Sequence, residues 1–170
     1  MHRYLLPLGM AFLLSACSPT LNWREVLPGG ELRALLPCKP DQGSRQQSLA
    51  GREVEVRMVG CEAAGALYAV SVAELGEAGH AMAVQAQWQA SLLANMQARE
   101  SDAHAWALKG ASAQLEPVRL TARGLRPDGQ AVAVQAAWFV RGTRLYHAVI
   151  YAERISTEMS EPFFDGLALP

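Results

Sequence analysis

Residues 131–152 read AVAVQAAWFVRGTRLYHAVIYA. The run Ala131–Val140 is long, almost uncharged, and rich in β-branched and aromatic side chains, the pattern of a strand placed centrally in a sheet. Arg141-Gly142-Thr143-Arg144 supplies a turn, and Leu145–Ala152 is the hairpin partner. Working back along the chain, Arg126-Pro127-Asp128-Gly129 is a strong turn signal, and Val118–Ala122 alternates as a strand does. Further upstream, Glu53–Cys61 alternates cleanly. Val54, Val56 and Met58 fall on one face, and Glu53, Glu55 and Arg57 on the other. Ala63-Ala64-Gly65 turns the chain into a strand over Leu67–Leu75. Leu32–Leu36 is expected as a first strand, stopped by Pro37-Cys38-Lys39-Pro40. Asp41–Ser44 reads as turn material, and Ser48-Leu49 as a short second strand ended by Gly51.

One stretch has a different period. Residues 77–100, EAGHAMAVQAQWQASLLANMQARE, are rich in Ala and Gln. Their large apolar residues Val84, Trp88, Leu92 and Met96 form an i, i+4 row, which predicts an amphipathic helix of several turns. A helix lying on a membrane would carry Lys or Arg along its polar face, and this one has only Arg99. The row is therefore expected to cover the sheet. AVQAQW at 83–88 nearly recurs as AVQAAW at 133–138, but a single coincidence without a period is not a repeat. After Ser156-Thr157, a short C-terminal helix is expected, capped by one of these two residues and anchored by Phe163 and Phe164. These elements predict an α+β fold: an antiparallel sheet covered by one long helix and a short C-terminal helix.

The composition bounds what such a domain can do. The chain has 170 residues, 51% of them hydrophobic and 18% charged, enough for one packed domain after a signal segment. A formal net charge of −1 argues against nucleic acid as a partner.

The N-terminus points to export. Met1-His2-Arg3 is a short basic start. Tyr4–Leu14 is an apolar run of about eleven residues, whereas a membrane-spanning helix needs ~20. It fits the hydrophobic region of a secretory signal. Leu14-Ser15-Ala16-Cys17 follows directly and resembles the lipobox of bacterial lipoproteins. That resemblance covers residues 1–17. It implies cleavage before Cys17, lipidation of its thiol and acylation of the new amino group, with several acyl chains holding the protein firmly to a membrane. Ser18 at the next position leans towards the outer rather than the inner membrane, with the domain facing the periplasm. Residues 17–31 then read as the lipidated N-terminus and a short tether, and 32–170 as the single domain.

Cysteine usage agrees with an oxidising compartment. With Cys17 assigned to lipid, Cys38 and Cys61 remain, and one structural disulfide worth about 3 kcal/mol is expected. Free buried thiols are the alternative. There is no Cys-x-x-Cys, and no histidine lies near either cysteine in sequence.

The order of elements over residues 32–169, with RLYHAVIYA at 144–152 and FFDGLAL at 163–169, resembles the PsbP-like α/β sandwich domains found in several small bacterial lipoproteins. The chain is also similar to small Arg- and Ala-rich lipoproteins of proteobacteria. Neither resemblance brings catalytic residues or a cofactor with it.

Chemistry-bearing residues are sparse. His80, His104 and His147 have no metal-ligand neighbour at i+2, i+3 or i+4, and His147 reads as a sheet histidine beside Leu145 and Val149. Glu53 and Glu55 share a strand face, a pattern usually belonging to a solvated sheet surface. There is no His-Glu-x-x-His, Gly-x-Ser-x-Gly or phosphate-binding glycine loop. The expectation is a non-enzymatic envelope protein that docks another envelope component. The alternative is a carrier of a small ligand or lipid in the space between helix and sheet.

Overall fold

The computed structural model describes residues 20–170. Its dominant feature is a seven-stranded, fully antiparallel sheet. In chain order, β1 (Arg24–Val26) and β2 (Ala34–Leu36) pair with each other as a small separate sheet. The large sheet contains β3 (Asp41–Leu49), β4 (Arg52–Ala63), β5 (Ala66–Glu74), β6 (Glu100–Ala105), β7 (Val118–Leu125), β8 (Ala131–Arg141) and β9 (Arg144–Ala152). Helix α1 (Ala81–Asn95) joins β5 to β6, and α2 (Thr157–Asp165) follows β9. The strand order is β3-β4-β5-β9-β8-β7-β6. Two meanders, one of three strands and one of four, thus meet where β5 pairs with β9.

The expected α+β sandwich of PsbP type, built around one long helix, is overturned: the protein is mostly β. The physical reason lies at both ends of the Ala- and Gln-rich stretch. Residues 78–80 form only a tight 3-10 turn before α1. At the other end the chain leaves the helix through Gln97, whose φ is positive, and Glu100–Ala105 pairs with β7 as an edge strand. Helix propensity over 77–100 is real, but pairing at the sheet edge takes its last turn. The Asp41–Ser44 turn is also overturned. These residues pair continuously with Gly60–Arg57 in β3.

The sheet is covered on both faces, and each central strand is buried along nearly its whole length. On one face lies α1, with Val84, Leu92 and Met96 packed into a core that includes Trp138, Leu120 and Val149. The row Val84-Trp88-Leu92-Met96 thus faces the sheet, Trp88 being half-buried. The opposite face is covered by β2, α2 and the C-terminal residues. Its core includes Leu32, Leu36, Tyr68, Phe139, Phe163 and Phe164. Arg33 pairs with Ala168 in a single bridge that holds the last residues in place.

The part of residues 17–31 within the described residues belongs to the fold. Trp23 meets Tyr68 edge to face at 6.0 Å, β1 pairs with β2, and Pro28 is buried. Glu31 reaches Arg144 at 3.1 Å and Arg141 at 3.7 Å, and Arg144 also holds Glu74 at 2.9 Å. This network fastens the turn at 28–31 to the end of the sheet. The Thr143 hydroxyl and Arg144 together hold the Glu74 carboxyl below its usual pKa.

Cys38 and Cys61 lie in disulfide geometry, with Cα atoms 6.0 Å apart. The bridge ties the segment after β2 to β4 and so joins the two sheets. Full reduction is expected to destabilise the protein by about 3 kcal/mol. Urea melts with and without reductant measure this, and a Cys38→Ser/Cys61→Ser double variant should match the reduced parent.

Gln87 is exposed yet contributes to the fold, because its Oε1 accepts the Ala50 N–H at the tip of the β3–β4 hairpin. Gln87→Ala should cost about 1 kcal/mol in the same melts.

Candidate functional site

The described histidines do not form a site. His80, half-buried, pairs with Glu77 at 3.2 Å, and the exposed His104 pairs with Asp102 at 3.4 Å. Among the described residues, no group of three or more His, Cys, Asp and Glu side chains is placed to hold a metal ion. Glu53 and Glu55 are exposed beside Ser48 and Gln46 of the neighbouring strand. Cys17 lies outside the described residues.

Among the described residues, His147 is the one buried histidine. It stacks on Trp138 with ring centroids 4.6 Å apart and touches Trp88 of α1 at 4.9 Å. Burial alone pushes its pKa down to about 3, so the ring is neutral at physiological pH. Its Nε2 finds no hydrogen-bond partner among the described residues. Ser71 lies directly opposite on β5, also buried. A histidine this reluctant to take a proton is a poor general base at neutral pH, and its place between two indoles is that of a packing residue.

The open features of the surface converge elsewhere, on edge strand β3. The β3–β4 turn has two residues, Ala50 and Gly51, both with positive φ. A turn of this kind makes the flanking pair Leu49–Arg52 a hydrogen-bonded one. Alternation then directs the backbone N–H and C=O groups of Gln42, Ser44, Gln46 and Ser48 outward, away from β4. All nine residues of β3 pair with β4 without a bulge, so the edge is long and regular. Its charges are only Asp41, at the start, and Arg45. The opposite edge, β6, is shorter and carries Glu100, Asp102 and His104. Natural sheets usually protect an edge with charge, proline or bulges, and β3 is the less protected of the two.

Clefts flank β3 on both faces at Gly43-Ser44. On the α1 face, one of about 200 Å³ is walled by Gly43, Arg45, Val56, Met58, Ser71 and Trp88. On the opposite face, one of about 600 Å³ runs between residues 26–30 and the sheet, with Ser44, Arg57, Val59, Val70 and Val72 along it. Both are open grooves. Two of the most exposed large hydrophobic residues line them: Met58 (51% exposed) and Leu27 (58%).

The exposure of Met58 has a simple origin. Helix α1 crosses the sheet diagonally. It starts near Leu75, whose N–H bonds to Thr143, and its C-terminal end meets Leu125, whose N–H donates to the Met96 carbonyl. It therefore covers Val54 and Val56 but stops short of Met58 on the same face. Past that point the burial of β4 changes sides, and Val59 and Cys61 pack into the opposite core. Alternation in the sequence placed Met58 on the correct face but could not show that this face is uncovered there.

The extended edge was missed because β3 has no apolar face to reveal it: eight of its residues are exposed or half-buried. The available signal was the two-residue Ala50-Gly51 turn ahead of an alternating strand, which requires a partner of similar length before it.

Comparison with known protein families and with curated proteins finds no match to the chain.

Proposed function

We propose that the protein is a lipid-anchored lipoprotein of the bacterial cell envelope, and that its domain is a non-enzymatic docking module facing the periplasm. The anchor rests on the basic start, the apolar run and Leu14-Ser15-Ala16-Cys17. The Cys38–Cys61 pair suits an oxidising compartment, and Ser18 favours the outer membrane. The observation that carries the docking reading is the edge strand β3 with an open groove on each side of it. A carrier would need the space between helix and sheet for its ligand. In this protein Val84, Leu92 and Met96 occupy that space against the sheet.

Two measurements test the reading. Cys17→Ala should move the protein from the detergent phase to the aqueous phase and abolish fatty-acid labelling. Unchanged partitioning of that variant would refute the anchor. Crosslinking in intact cells should yield a defined protein adduct, and the absence of any adduct at endogenous expression would refute docking.

A further inference from the structure

We propose that the edge of β3 accepts an extended peptide segment as an added strand, one that carries an apolar residue with acidic residues at the two positions on one side of it. This deepens the docking reading above and rests on it. Strand addition needs outward backbone donors and acceptors for affinity and pockets for alternate side chains for specificity. Gln42, Ser44, Gln46 and Ser48 supply the former. Successive residues of an added strand point to opposite faces of the sheet, and at Gly43-Ser44 a groove is open on each face.

The side chain placed beside Gly43 enters the α1-face groove, between Met58, Val56 and Trp88. About 200 Å³ admits one aliphatic side chain of ordinary size. Gly43 leaves the way from the edge into that groove open, since a Cβ there would meet nothing within 4 Å. The neighbouring side chains of the added strand point to the other face, one beside Ser44 and one beside Gln42. Arg57 lies directly across from Ser44 and is the one charged residue lining the groove on that face. Arg45 is likewise the one charged residue lining the α1-face groove. Neither arginine forms an ion pair among the described residues. Arg57 beside Ser44 and Arg45 at the next position favour carboxylates at the two positions of the added strand on that one side of the apolar anchor, whereas Asp41 lies on the other side.

The test uses the full chain, lipidated and held in detergent, against a displayed library of random linear peptides. Selected peptides should share an apolar residue with an acidic neighbour. Synthetic copies should lose at least about tenfold in affinity for two separate variants. Gly43→Leu blocks the mouth of the α1-face groove at a position with room for the new side chain. Ser44→Pro removes one outward N–H and leaves the β4 ladder intact. Arg57→Glu should shift selection from acidic to basic neighbours. Urea melts establish that each variant is folded. Three results would overturn the proposal: no enriched peptide, peptides that bind Gly43→Leu and Ser44→Pro as well as the parent, or a parent that sediments as a dimer through this edge. Each would leave the outcomes of the partitioning and in-cell crosslinking measurements untouched, so failure of the edge is distinguishable from failure of the docking reading.

Discussion

Trp138→Ala should lower the free energy of unfolding by about 3–5 kcal/mol, a large part of the ~5–15 kcal/mol that a domain of this kind possesses. Trp138 is fully buried on β8, in the core beneath α1, and its ring stacks on His147. Truncation removes that contact and leaves a cavity between rigid strands, which cannot collapse to fill it. Trp88→Ala, at the half-buried wall of the α1-face groove, should cost distinctly less, because water can enter the space it vacates. Trp138→Phe separates packing from polarity. The indole N–H has no hydrogen-bond partner among the described residues, so its loss offsets part of the lost volume and the cost should fall well below that of alanine. Urea unfolding of the three variants measures the order. Equal midpoints for Trp138→Ala and Trp88→Ala would mean that the core beneath α1 is not closed.

Acid should destabilise the protein through His147. In the native state burial holds its pKa at about 3, against an ordinary value of 6.5 in the unfolded chain. Between these values the unfolded chain binds a proton that the native state refuses. The stabilisation is therefore complete above pH 6.5 and declines as the pH falls towards about 3. The slope approaches about 1.4 kcal/mol per pH unit, which amounts to roughly 2 kcal/mol between pH 6.5 and 4.5. His147→Phe keeps an aromatic ring between Trp88 and Trp138 and removes the titration. The difference between parent and variant isolates the histidine from carboxylates such as Glu74, whose lowered pKa also favours the native state less in acid. Unfolding free energies at pH 7 and 4.5 should converge for the variant and diverge for the parent. A parallel decline in both would show that His147 does not carry the effect.

Much of the sheet could be read locally. The uncharged runs of β8 and β9, the turn between them and the alternation in β4 all report their own conformation, because a strand's period and a turn's residue types are properties of a few neighbouring positions. The i, i+4 row of α1 reported its buried face for the same reason, and setting Cys17 aside for lipid left Cys38 and Cys61 to pair. Where α1 stops, which half of β4 each layer covers, and why Met58 is bare were not local matters. Those outcomes depend on a helix crossing the sheet at an angle and on β2 and α2 packing against the other side. The edge strand β3 is the clearest case. Polar on both faces, it carries no pattern of its own, and only the pairing offered by β4 makes it a strand. The candidate site was therefore not legible in the sequence, because it consists of what the other elements leave uncovered: outward backbone groups, the gap at Gly43, and two arginines that form no ion pair among the described residues. Periodicity records which way a side chain points; whether anything lies there to meet it is decided by elements distant in the chain.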